Sequence, residues 1–305
     1  WPPASADYWM EESLTRARLR VLEARGRTTE YLNLARAANL RANYASMLTK
    51  LGRVPDAVSY ALKSFKRPDE ALTLATLLRE TAAHEEALEV AEAGLDLAGH
   101  DGVATTDMES IEDFIEMKSP SLVALARWLR DYAGQLGKPV TALKASLAAF
   151  QQSQSLDDFR AVQTWAGADW KHIRAELLNQ LASAPHPGDR LRIYLAEGEI
   201  DAAVRAVGNS LEHDAHNENL MQLAAAAHSS HPEWTIRLAM YQASSIMDTN
   251  QAAWYALAAQ WLEKAALAHE VLGREDEWLA RLDELIARHR RKYKLVPLLK
   301  QLRGR

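Results

Sequence analysis

Apolar residues recur along this chain at intervals of three and four, the period of an amphipathic helix. In residues 16–23, Leu19 and Leu22 share one face, which leaves Arg18, Arg20 and Glu23 for water. Ala, Leu, Glu and Arg, all strong helix formers, dominate the sequence. No stretch alternates β-branched residues for long enough to make a strand. The pattern predicts an all-α chain of about fifteen or sixteen helices.

The helical pattern is interrupted in one recurrent way. Gly26 precedes Glu30-Tyr31-Leu32, Gly52 precedes Asp56-Ala57-Val58, and Ala82 precedes Glu86-Ala87-Leu88. Gly137 precedes Thr141-Ala142-Leu143, Glu197-Gly198 precedes Asp201-Ala202-Ala203, and Gly273 precedes Glu277-Trp278-Leu279. Glycine supplies the left-handed conformation that closes a helix. Three residues of turn then suit an antiparallel helix pair. The shorter separations between these turns fit one hairpin per repeat, and the longer ones fit two. Two further pairs are expected, residues 155–165 with 170–181 and residues 217–228 with 233–247. A Gly-containing loop and an acidic helix at 99–118 break the repeat. The predicted organisation is therefore three-part: hairpins over 1–98, an insertion at 99–118, and degenerate hairpins over 119–305.

Composition narrows the function classes. The chain has 305 residues, 48% of them hydrophobic and 25% charged, as in folded globular proteins. A formal net charge of -5 gives no global signature of nucleic-acid binding. The absence of cysteine excludes disulfides, thiolate metal sites and cysteine nucleophiles within the chain. No signal-peptide pattern and no apolar run of about 18 residues occur, so a cytoplasmic location without membrane contact is expected. The opening Trp1-Pro2-Pro3 suggests a piece of a longer protein with the remainder upstream.

The Gly52 unit resembles the tetratricopeptide repeat. Tyr44-Ala45 takes its large–small pair, Leu48 follows, Gly52 closes the first helix, and Ala57 and Ala61 give the second helix a small face. Leu74-Ala75, Leu78, Ala87 and Ala91 repeat the pattern around Ala82. The resemblance implies a right-handed α-solenoid with a concave groove. A second resemblance runs through residues 28–32, 51–58, 68–72, 156–160 and 289–295. These segments are similar to the C-terminal helical region of bacterial SWIM zinc-finger family proteins. In that family a Cys-x-Cys…Cys-x-His finger lies ahead of the helices and is thought to bind nucleic acid or protein. With no cysteine in this chain, none of the finger's residues can be carried over. The resemblance implies an interaction scaffold within a larger protein.

Candidate chemistry is sparse. No Gly-x-Ser-x-Gly elbow and no phosphate-cradling loop occurs. The acid pairs Asp157-Asp158 and Glu85-Glu86 stand at predicted helix starts, where the dipole favours them without catalysis. His213 with His216, and His228 with His231, have helical metal-ligand spacing but lack a completing ligand set. No metal, no cofactor and no catalytic residue is assigned. Trp128, Trp165, Trp170, Trp254, Trp261 and Trp278 read as core filling. The proposed partner groove carries Asn39, Asn43, Ser46 and Lys50 on one unit, and Thr73, Thr76 and Arg79 on the next. Such amides and cations can hold a peptide backbone or carboxylate, and a solvated polar face is the alternative. Arg288, Arg290, Arg291, Lys292 and Lys294 either cap the last helix or contact phosphate. The expected function is a non-catalytic scaffold for a protein or peptide. The alternative is an accessory nucleic-acid surface acting with the full-length protein.

Overall fold

The computed structural model describes residues 4–97, 120–184, 189–208, 214–249 and 252–304. Among them the chain is entirely helix and turn, so the all-α expectation holds. The predicted insertion at 99–118 lies outside the described residues. Two compact units are present, Trp1–Ala175 and Glu176–Arg305.

Unit 1 contains α1 (Ala4–Ala24), α2 (Thr28–Ala37), α3 (Arg41–Lys50), α4 (Val54–Ser64), α5 (Pro68–Glu80) and α6 (His84–Leu95). Then come α7 (Pro120–Gln135), α8 (Pro139–Ser153), α9 (Leu156–Ala166) and the start of α10 (Trp170–Ser183). Unit 2 continues from α10 with α11 (Arg190–Ala196), α12 (Ile200–Val207), α13 (Glu218–Ala227) and α14 (Pro232–Asp248). It ends with α15 (Tyr255–Val271), α16 (Glu275–Arg288) and the short α17 (Val296–Gln301).

All six predicted turns are present, and they share one hydrogen-bond scheme. At Gly52 the chain enters the left-handed region, φ 74°. Its N–H bonds to Thr49 O at 2.9 Å, and the next N–H, of Arg53, reaches back to Leu48 O at 2.9 Å. This five-residue reach satisfies carbonyls that the helix end would otherwise leave bare. The same pair of bonds closes α1 at Gly26, α5 at Ala82, α7 at Gly137, α11 at Gly198 and α15 at Gly273. A seventh turn of this kind occurs at Asn39, φ 54°, between α2 and α3. Asn tolerates the left-handed region better than most residues, which is why the chain can turn there without glycine.

Small residues decide how closely the helices approach. In unit 1, α3 packs on α4 and α5, and α5 packs on α6 and α7. The second helices follow suit, α4 against α6 and α6 against α8. The contact surfaces hold Ala45, Ala57, Ala61, Ala71, Ala75, Ala87, Ala91, Ala126 and Ala133, all essentially buried. Leu74, Leu78, Leu125 and Leu129 fill the spaces between and are fully excluded from water. Each such leucine contributes about 2 kcal/mol of burial. A smaller core of Leu19, Tyr31, Ala35, Leu40 and Met47 holds α1 to α2 and α3.

Two expected pairings change. In unit 2, α14 makes its extensive contact with α15, and only a lesser one with α13. The helices α14 and α15 are both 17 residues and share a longer face than the 10 residues of α13 offer. Residues 156–166 and 170–183 meet chiefly through an edge-on contact of Phe159 with Trp170, centroids 5.3 Å apart. The tryptophans divide. Trp234, Trp261 and Trp278 are buried and Trp128, Trp165 and Trp170 half-buried, but Trp254 is 44% exposed.

Candidate functional site

Unit 1 carries a cleft of about 680 Å³ where three hairpins meet. Its floor is the α2–α3 turn and the first turn of α3, with Asn39, Leu40, Arg41, Ala42 and Asn43. One wall is the N-terminal part of α5 with its N-cap, with Arg67, Asp69, Glu70 and Thr73, and the other is Thr15 and Arg16 of α1. The local folding explains the polarity. Both α3 and α5 begin here, and helix starts leave backbone N–H groups unbonded within the helix. At the entry to α5, Glu70 Oε2 accepts from the N–H groups of Lys66 at 2.8 Å and of the N-cap Arg67 at 3.2 Å. On α3 the N-cap position is Leu40, which has no side-chain acceptor to offer.

Charge in the cleft is mixed. Arg41 reaches Glu70 at 3.4 Å, and Arg67 pairs with Asp69. Arg16 also lines the cleft. Arg41 stands at the first position of α3, where the helix dipole disfavours a cation. Its pairing with buried Glu70, on the next hairpin's first helix, offsets that cost.

The groove residues proposed from sequence do not act as one set. Asn39, Asn43 and Thr73 line the cleft. Asn39 does so from the turn, not from the helix face expected of it, because it supplies the left-handed residue. The Asn43 amide also donates to the Tyr31 hydroxyl at 3.4 Å. Ser46, Lys50, Thr76 and Arg79 lie outside the cleft lining. Lys50 pairs with Glu23, and the Thr76 hydroxyl donates to Leu72 O at 2.8 Å within its own helix. Arg79 lies over the rings of Trp128 and Tyr132, 5.7 and 5.8 Å from their centroids, and so ties α5 to α7. Sequence reasoning missed Arg16, Arg41, Arg67, Asp69 and Glu70. The available signal was Arg41 itself, a cation at a helix start, but it is readable only once the turn at Asn39 is placed.

The acid pair 157–158 has a structural role larger than capping. The Ser155 hydroxyl accepts from the Asp158 N–H at 3.2 Å, while Asp158 Oδ2 accepts from that hydroxyl at 2.9 Å. Asp158 also accepts from Ser153 at 2.6 Å and from Arg127 at 2.7 and 3.0 Å, and Arg130 reaches it at 3.2 Å. Its side chain is 1% exposed. Burial pushes its pKa up, but the bonds from Arg127, Ser153 and Ser155 together outweigh burial and hold the carboxyl below its ordinary 3.8.

The histidine pairs are engaged separately. His228 Nδ1 lies 2.7 Å from Ala225 O, and His231 Nε2 lies 2.7 Å from Asp201. His216 sits on Asp214 at 3.1 Å and edge-on to Trp254, and His213 lies outside the described residues. Among the described residues no three His, Asp or Glu converge as a metal site would require.

The basic segment also divides. Arg288 ends α16 and pairs with Asp248 at 3.0 Å. The Lys292 ammonium donates to Met247 O and lies 5.7 Å from the Tyr255 ring centroid. Arg290, Arg291 and Lys294 are exposed. No family model matches the chain, and no curated protein matches it. Among the described residues no helix is long and apolar enough to cross a membrane.

Proposed function

We propose that this chain is a non-catalytic interaction scaffold whose unit 1 holds an extended, acid-bearing peptide in the cleft between α1, α3 and α5. In this reading the stacked hairpins are tetratricopeptide-like units that continue as a right-handed solenoid. The cleft carries the argument. It is large enough for several residues of extended chain, and Asn39, Asn43, Arg16, Arg41 and Arg67 are among the residues that line it. Guanidinium and amide groups of this kind complement a ligand rich in carbonyls that carries a carboxylate. The likeness of residues 28–32, 51–58 and 289–295 to SWIM-type helical regions supports placing the scaffold in such a cytoplasmic protein.

The test is an array of short peptides probed with the full chain. Peptides containing Asp or Glu should bind, and the Arg41→Ala/Asn43→Ala variant should bind them about ten-fold more weakly, as for loss of one charge-assisted bond. Lys50→Ala serves as the control and should bind normally. Equal binding by all three proteins, or no preference for acidic peptides, overturns the reading.

A further inference from the structure

Residues 288–305 contain eight Lys or Arg and no Asp or Glu. Part of this charge is spent within the fold. Arg288 is paired with Asp248 and Arg303 with Asp283 at 2.7 Å, while Lys292 is tied to Met247 O. Arg290, Arg291 and Lys294 form no ion pair among the described residues. Between them stands Tyr293, 79% exposed.

The loop is held in shape from both sides. Lys292 N–H bonds to His289 O at 2.8 Å, and Leu295 N–H bonds to Lys292 O at 2.9 Å. His289 is buried and Leu295 is fully buried. Residues 289, 292 and 295 thus face inward and pin the backbone, while 290, 291, 293 and 294 project. An exposed ring and three cations are therefore presented on an ordered turn, and little backbone entropy is left to lose on binding.

We propose that loop 290–294 is a contact site for single-stranded nucleic acid, with Tyr293 stacking on a base and Arg290, Arg291 and Lys294 meeting phosphates. An aromatic face set among cations is the arrangement that grips unpaired strands without reading sequence. A duplex keeps its bases stacked inside and leaves the Tyr293 ring no partner. An anionic membrane gains mainly from apolar insertion, and here the ring carries a hydroxyl and its projecting neighbours are all charged. The net negative charge of the whole chain does not cancel the patch, because salt screens charges beyond about 8 Å.

The experiment is fluorescence anisotropy of the full chain with a labelled oligothymidylate of roughly 12 nucleotides, within the span of such sites. Binding should weaken with salt with a log–log slope of about -2, as for three phosphates on a single strand. Tyr293→Ala should weaken it by about ten-fold or more, and Tyr293→Trp should retain it. The Arg290→Ala/Arg291→Ala/Lys294→Ala variant should flatten the salt dependence. These side chains are exposed, so the circular dichroism of every variant should match the parent. No binding, equal binding of Tyr293→Ala, or equal affinity for a duplex of the same length overturns the proposal. So does Tyr293-dependent sedimentation with phosphatidylserine vesicles without oligonucleotide binding, which would assign the loop to membranes.

Discussion

Gly94 sits in the last turn of α6, where helix propensity and packing make opposite predictions for Gly94→Ala. Propensity alone favours alanine by at most about 1 kcal/mol. Packing opposes it. A Cβ at Gly94 would lie 2.5 Å from Ala71 Cβ on α5 and 2.7 Å from Leu125 Cδ2 on α7. Carbon atoms make their best contact at about 3.5–4.0 Å, so α6 would have to retreat by about 1 Å. Ala71 cannot yield, since its Cβ is fixed to the α5 backbone, and Leu125 is fully buried among neighbours. Overpacking of this kind costs about 1–3 kcal/mol, and a retreating helix also forfeits contacts along its length. The net expectation is a loss of about 1–2 kcal/mol. Urea unfolding followed by circular dichroism measures it as a lowered midpoint. Ala71→Gly removes the nearest clash, so Gly94→Ala should cost less in that background, with a coupling of about 1 kcal/mol. A raised midpoint for Gly94→Ala, or strict additivity with Ala71→Gly, would refute the close approach of α5 and α6.

Three more outcomes follow from the same structure. Asp158→Asn removes the anion that Arg127, Arg130, Ser153 and Ser155 surround. It should cost about 3 kcal/mol in the same urea assay, the lower end for a buried pair because Arg127 can turn to water. Acidification should erode stability in two windows, both read as thermal midpoint against pH. Burial, with Lys292 adding to it, holds His289 below 6.5, so its contribution is complete above that value and declines as the pH drops beneath it. The lowered pKa of Asp158 makes its contribution complete above 3.8 and lost as the pH falls through the folded value, and Asp158→Asn should abolish that second window alone. Ala82→Gly should raise the thermal midpoint by the equivalent of about 1 kcal/mol, because Ala82 occupies the left-handed region at φ 60°.

Much of the local architecture was legible in the sequence. A helix that ends in a left-handed residue needs glycine or a tolerant substitute at one position, and that requirement acts within six residues. The turns at Gly26, Gly52, Ala82, Gly137, Gly198 and Gly273 were therefore visible in one dimension. The turn at Asn39 was not, because Asn also suits a polar helix face, and only the backbone separates the two roles.

What the tertiary structure decided depends on distance in space. The cleft draws on α1, the α2–α3 turn and two helix starts, so Arg16, Arg41 and Arg67 share no spacing that marks them as neighbours. Of the seven predicted groove residues, Lys50, Thr76 and Arg79 point to other tasks for the same reason, and Ser46 lies outside the cleft lining. The basic segment reads as a uniform run of charge in sequence. Folding ties Arg288 to Asp248 and Lys292 to Met247 O, and it leaves Arg290, Arg291 and Lys294 around an exposed Tyr293. Helix and turn were set by sterics between near neighbours. Which side chains are spent and which remain available was set by what each one meets from another helix.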